Sequence, residues 1–67
     1  MVEIQLNGQP RQVPPGETVA DLLRELQLDP RWVIAELNGQ PLPRGDYSAA
    51  PLSAGDRLEL VRPVAGG

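Results

Sequence analysis

A chain of 67 residues with no Cys and no His has a small core and neither usual reinforcement for one, a disulfide or a structural metal. The same absences remove any Ser-His or Cys-His nucleophile–base pair, so the chain is not expected to be an enzyme by itself. A net charge of −3, with six basic residues that are all Arg, argues against nucleic acid and leaves no side-chain amine to accept an acyl group.

Val2, Ile4 and Leu6 alternate with Glu3 and Gln5, the period of a half-buried strand. Asn7-Gly8 is a hairpin signal, because both residues tolerate positive φ. Gln9 to Val13 returns, and Pro10 places that strand at a sheet edge, since proline cannot donate to a ladder. Pro14-Pro15-Gly16 breaks the pattern. Thr18 stands three residues before Asp21, a form of the capping box, and Val19, Leu22, Leu23 and Leu26 recur at helical spacing. The spacing predicts an amphipathic helix over about 18–28, ended by Asp29-Pro30.

Trp32 to Leu37 reads as a third strand, Asn38-Gly39 as a second hairpin turn, and Gln40 to Pro43 as a short edge strand. The stretch from Arg44 to Gly55 is rich in Gly, Pro, Ser and Ala, with Leu52 its one strong core candidate. Gly55-Asp56 turns the chain into a last strand, Arg57 to Val61. Two strands, a helix and three strands favour one mixed sheet, with the helix across one face and the first and last strands parallel at its centre. That is an α+β architecture of the β-grasp, ubiquitin-like kind. The expected division is a domain over 1–62 and a tail over 63–67.

The tail, Pro63-Val64-Ala65-Gly66-Gly67, carries the functional expectation. Glycine has no Cβ, so backbone can thread a narrow channel and approach a reacting centre. Arg62 to Gly67 can span about 20 Å at about 3.3 Å per residue, which lets a globule stay outside while its carboxylate enters a partner's active site. Pro63 fixes φ and removes a donor, ending sheet pairing. Attack of the Gly67 carboxylate on the α-phosphate of ATP, at a site supplied by a partner, makes an acyl-adenylate, and sulfur delivered there leaves a thiocarboxylate. Gly67 thus carries the chemistry, Gly66 gives access, and Val64 and Ala65 give the partner something apolar to grip. Alternation turns Val61 away from the helix, so that with Val64 it extends an apolar, partner-binding patch on the open sheet face.

The ordered pieces resemble a known family. A short first strand into Asn7, Gly16-Glu17-Thr18-Val19 before Leu22-Leu23, Leu37-Asn38, Leu42-Pro43-Arg44 with Tyr47, Gly55-Asp56 and terminal Gly66-Gly67 are similar to the ThiS sulfur carriers of thiamine biosynthesis. The resemblance implies a ThiF-type adenylating enzyme that activates the terminal glycine with ATP, a cysteine persulfide as sulfur donor, and thiazole synthase, ThiG, as acceptor. It implies no cofactor on the chain itself. The ending Pro63 to Gly67 is also similar to the small subunit of molybdopterin synthase, and carriers for cysteine or tRNA thiolation share the pattern. Two other classes stay open: a ubiquitin-like modifier attached through Gly67, and a β-grasp binding module with an incidental tail.

Other candidates take plainer readings. Glu3, Asp21, Glu25 and Asp29 are expected to be solvated rather than a docking face, and Asp46 and Asp56 to hold turns. Trp32 and Tyr47 are expected to plug the rim of the core. No apolar run approaches the roughly 20 residues of a membrane span, and alternation from Val2 leaves no signal peptide. A cytoplasmic chain, monomeric when free and bound to neither nucleic acid nor membrane, is the expectation.

Overall fold

The computed structural model describes residues 1–63. Strand β1, Val2–Leu6, turns its alternating apolar residues inward, with Ile4 fully buried. The Asn7-Gly8 turn takes φ of 50° and 81°, the left-handed pair a two-residue hairpin needs, and returns the chain as β2, Gln9–Val13, antiparallel to β1. Pro10 lies opposite Gln5 on a strand that forms one edge of the sheet, as its missing donor requires.

Helix α1 covers Val19–Glu25. Both halves of its capping box form: Asp21 N–H donates to Thr18 Oγ1 at 3.1 Å, and Thr18 N–H donates to Asp21 Oδ2 at 3.0 Å. The second bond, the largest influence on Asp21, holds its carboxyl below the usual range. The helix is shorter than the 18–28 expected. Leu26 caps it, Gln27 swings to φ 59°, and the N–H groups of Leu28 and Gln27 donate to the carbonyls of Leu23 and Arg24 at 2.9 and 3.1 Å. This pair of reversed bonds is a Schellman ending. Leu28 then folds back onto the core and offsets the strain of a non-glycine residue at that φ.

A second difference follows at once. Pro30–Trp32 forms a 3-10 turn capped by Asp29, and β3 begins at Ile34 rather than Trp32, running Ile34–Leu37. The Asn38-Gly39 turn, φ 54° and 81°, leads to β4, Gln40–Leu42, at the other edge. The Gly/Pro/Ser-rich stretch is more ordered than its composition implies. Arg44–Ala49 makes a second 3-10 turn that carries buried Tyr47, and Leu52 is buried as expected. Strand β5, Arg57–Val61, pairs parallel to β1 and antiparallel to β3, giving the order β2-β1-β5-β3-β4. The first and last strands therefore adjoin at the centre of a β-grasp sheet. Ile4, Val13, Leu22, Leu23, Val33, Ala35 and Leu58 form one buried cluster between sheet and helix.

One buried group is out of keeping with that core. Glu17 is 8% exposed and its Oε2 has no hydrogen-bond partner among the described residues. Burial first, then the hydrogen bond and charge of Glu25, push its carboxyl from 4.5 up to about 7, and Asp21 adds to the effect while Arg11 opposes it. The unfolded chain releases this proton near 4.5 and the folded chain only near 7, so stability falls as pH rises through that window. We expect Glu17→Gln to remove this loss and to stabilise the fold by about 1–3 kcal/mol at pH 8, with little change at pH 4. Urea unfolding of both proteins at the two pH values measures it; equal stabilities at pH 8 refute it.

Candidate functional site

The last strand delivers the chain to the tail, so the site is built around the end of β5. Leu58 is fully buried and Leu60 half-buried against the core, which turns Val61 to the open face, 55% exposed. Its cross-strand partner is Ile34, also on the open face and 53% exposed. Trp32, expected at the core rim, instead stands 61% exposed just before β3, in the 3-10 turn at Pro30–Trp32 and in phase with exposed Ile34. Tyr47 does fill the rim.

Trp32 is nevertheless held. Arg31 stacks over its ring at 5.9 Å and is clamped to Asp29, with Nη2 donating to Oδ2 at 2.8 Å. That clamp is the main reason the Asp29 carboxyl lies below its ordinary range. From the second 3-10 turn, Arg44 donates from Nε to the Pro30 carbonyl at 2.9 Å and from Nη2 to the Arg31 carbonyl at 3.1 Å. Tyr47, one turn on, donates its hydroxyl to the Val33 carbonyl at 2.8 Å. The spacing of Pro43-Arg44 and Tyr47 thus acquires a physical reason. Two side chains of one short turn tie down three carbonyls of the segment that presents Trp32 and Ile34.

The result is an apolar cleft of about 270 Å³ lined by Arg31, Trp32, Val33, Ile34, Arg44 and Pro63. It lies at the root of the tail and continues into the Ile34–Val61 pair. Farther along the open face Glu36 and Glu59 are directly opposed across β3 and β5, a like-charge pair that costs stability. Arginines edge the patch at one end and carboxylates at the other.

The structure brings Val61 and Pro63 to one place. Val64, Ala65, Gly66 and Gly67 lie outside the described residues. The other acidic candidates have local partners. Asp21 and Asp29 cap their turns, Glu25 meets Arg11 at 3.6 Å, and Glu3 accepts from Gln12 at 3.2 Å. Asp56 holds its turn by accepting from Ser53 N–H at 2.8 Å and Asn38 Nδ2 at 3.0 Å. Trp32 and Ile34 were missed as surface residues because both faces of the segment 32–37 are apolar in sequence. Only the helix, by covering Val33 and Ala35, decides which set faces solvent. Among the described residues no helix is long and apolar enough to cross a membrane.

Comparison with known proteins agrees with this architecture. The chain is similar to the thiamine biosynthesis protein ThiS of Geobacter metallireducens, whose crystal structure it matches at 30% identity over 98% of this chain and all of that one, with a TM-score of 0.84. SAMP1 of Haloferax volcanii shares the fold at 24% identity, TM-score 0.59, with 98% of each chain covered. Proteins named thiazole synthase from Paramagnetospirillum magneticum and Magnetococcus marinus match 98% of this chain at 35% and 36% identity. This chain spans only 20% of their length. The family model for ThiS matches residues 4–67, and the chain belongs to the ThiS family.

Proposed function

We propose that this chain is a sulfur carrier of thiamine biosynthesis, a protein cosubstrate worked on by other enzymes, with the Gly67 carboxylate as its reactive group. The observation that carries the reading is the ending of β5. The central strand stops at Val61, beside an exposed apolar cleft, and Gly66-Gly67 follow it a few residues on in the sequence. A globule that offers a grip at the root of a narrow tail suits delivery of a chain end into another protein's active site.

The chemistry proceeds on the partners. A ThiF-type enzyme directs a Gly67 carboxylate oxygen onto the α-phosphorus of ATP, and pyrophosphate leaves. The terminal sulfur of a cysteine persulfide attacks the acyl-adenylate carbonyl, and AMP leaves. A partner thiol then takes the cysteine sulfur as a disulfide, which frees the thiocarboxylate. In that form the sulfur is nucleophilic and tethered, and thiazole synthase is the acceptor. The choice of acceptor is supported by the two proteins named thiazole synthase that contain a segment resembling this whole chain. ATP is consumed by the activating partner. Val61, Pro63, Val64 and Ala65 form the docking stretch, with Trp32 and Ile34 beside it.

The test is the intact mass of the chain after incubation with ATP, a sulfur donor and the adenylating enzyme of the same cell. Exchange of one oxygen for sulfur, mapped to Gly67, is the expected result. An unchanged mass, with the enzyme active on another carrier, overturns the reading. Isopeptide-linked conjugates in its place favour a modifier.

A further inference from the structure

The two Asn-Gly turns look like local hairpin features, yet each asparagine side chain reaches out of its own hairpin to β5. Asn38 Oδ1 accepts from Arg57 N–H at 2.9 Å, and Asn38 N–H donates to the Arg57 carbonyl at 2.7 Å. This clamp fixes the start of β5. Asn7 Oδ1 accepts from Leu60 N–H at 2.8 Å, near the strand's end.

The second contact has a backbone logic. The parallel ladder between β1 and β5 runs through Gly55 N–H to the Glu3 carbonyl, Gln5 N–H to the Asp56 carbonyl and Asn7 N–H to the Leu58 carbonyl, at 2.9, 2.8 and 2.9 Å. The next rung needs an acceptor for Leu60 N–H. Beyond Asn7, however, the chain has turned away into β2, and no backbone carbonyl continues β1. The Asn7 side-chain carbonyl stands in for that rung. Only a residue that combines a left-handed φ with a short side-chain acceptor meets both demands, which Asn does and Gly does not.

We propose that Asn7 is a positioning residue for the carrier chemistry: by completing the ladder at Leu60 it fixes the last turn-free residues of β5, and with them the direction in which the chain leaves the sheet at Arg62 and Pro63. Asn7 touches no reacting atom. It acts through Leu60 and Val61, which set the origin of the tail relative to the Trp32–Ile34 cleft. This assignment rests on the carrier reading above, and it predicts a larger effect on turnover than on docking, because Asn7 does not line the Trp32–Ile34 cleft.

The experiment compares Asn7→Gly, Asn7→Asp and Asn38→Gly in steady-state adenylation by the activating enzyme, with amide hydrogen exchange as a second readout. Asn7→Gly keeps the turn and removes the acceptor. Asn7→Asp keeps both, and Asn38→Gly removes the matching clamp at the far end of the strand. The expected result is a fall in kcat of about 10- to 100-fold for Asn7→Gly with KM little changed, since small misplacements of a reacting group have effects of that size. Asn7→Asp restores most of the rate, Asn38→Gly leaves kcat near the original value, and Leu60 N–H exchanges faster only in Asn7→Gly. An unaltered kcat in Asn7→Gly, or equal losses in Asn7→Gly and Asn38→Gly, overturns the assignment. Failure of the unaltered chain to be adenylated at all overturns the carrier reading and this role with it, so the two failures are told apart.

Discussion

Removal of Gly66 and Gly67 is expected to abolish sulfur loading and to leave the unfolding midpoint where it was. The described buried cluster runs from Ile4 to Leu58, and the ladder of β5 closes at Val61, several residues before the deletion. The described fold therefore loses no core side chain and no strand rung, and changes that spare such features stay within about 0.5 kcal/mol. On the proposed mechanism the chemistry loses everything, because the acyl carbon to be adenylated belongs to Gly67. A milder variant separates access from chemistry. Gly66→Val keeps the terminal carboxylate but adds a branched side chain where the tail must approach the reacting centre, and it is expected to lower adenylation strongly while leaving affinity for the enzyme close to normal. Intact mass and calorimetric melting on the same samples check both statements. Normal sulfur loading of the truncated chain sinks the assignment of Gly67, and retention of full biological activity after truncation identifies a plain binding module.

Ile34→Glu is expected to weaken association with the proposed activating enzyme by about 30-fold or more, equivalent to about 2 kcal/mol at an interface hot spot. The residue is half exposed, paired with Val61 and open to the Trp32 cleft, so a carboxylate there requires desolvation in any complex that covers the patch. It also extends the acidic run of Glu36 and Glu59 into the apolar zone, which adds repulsion against a partner shaped for an uncharged surface. Trp32→Ala is expected to cost a similar amount through lost contact area, since its ring is presented to solvent and braced by Arg31. Neither change touches the buried cluster, so folding should persist. Calorimetric titration with the enzyme reads the affinity, and unchanged binding in both variants removes this face from the interface.

The two patch residues differ in how visible they were. Val61 could be placed from alternation, because β5 has one apolar face and one mixed face. In the segment 32–37 that rule fails. Trp32, Ile34 and Glu36 alternate with Val33, Ala35 and Leu37, and apolar side chains stand in both sets. The sequence reading places Trp32 as a plug at the rim of the core. The structure exposes it in phase with Ile34, on a 3-10 turn capped by Asp29 and tied down by Arg44 from a stretch with little periodicity. The helix end misled for a related reason: apolar spacing continues through Leu26 and Leu28, and only the reversed bonds at Gln27 show that Leu28 packs from outside the helix.

What the sequence by itself determined is whatever depends on neighbours a few residues apart. The Thr18–Asp21 cap, the two Asn-Gly turns, the edge positions of the proline-bearing strands and the strand period of β1 and β5 all follow from local sterics and local hydrogen bonding. Element order then allowed the central parallel pair, and the terminal Gly-Gly allowed the proposed chemistry. Tertiary structure decided what depends on partners far along the chain. Leu60 finds its acceptor 53 residues away in Asn7, and the turn that carries Trp32 finds its brace 13 and 14 residues away in Arg44. Glu17 becomes a strained acid only when helix and sheet close over it. Such contacts join groups far apart along the chain, and their placement is a property of the closed sheet and helix together.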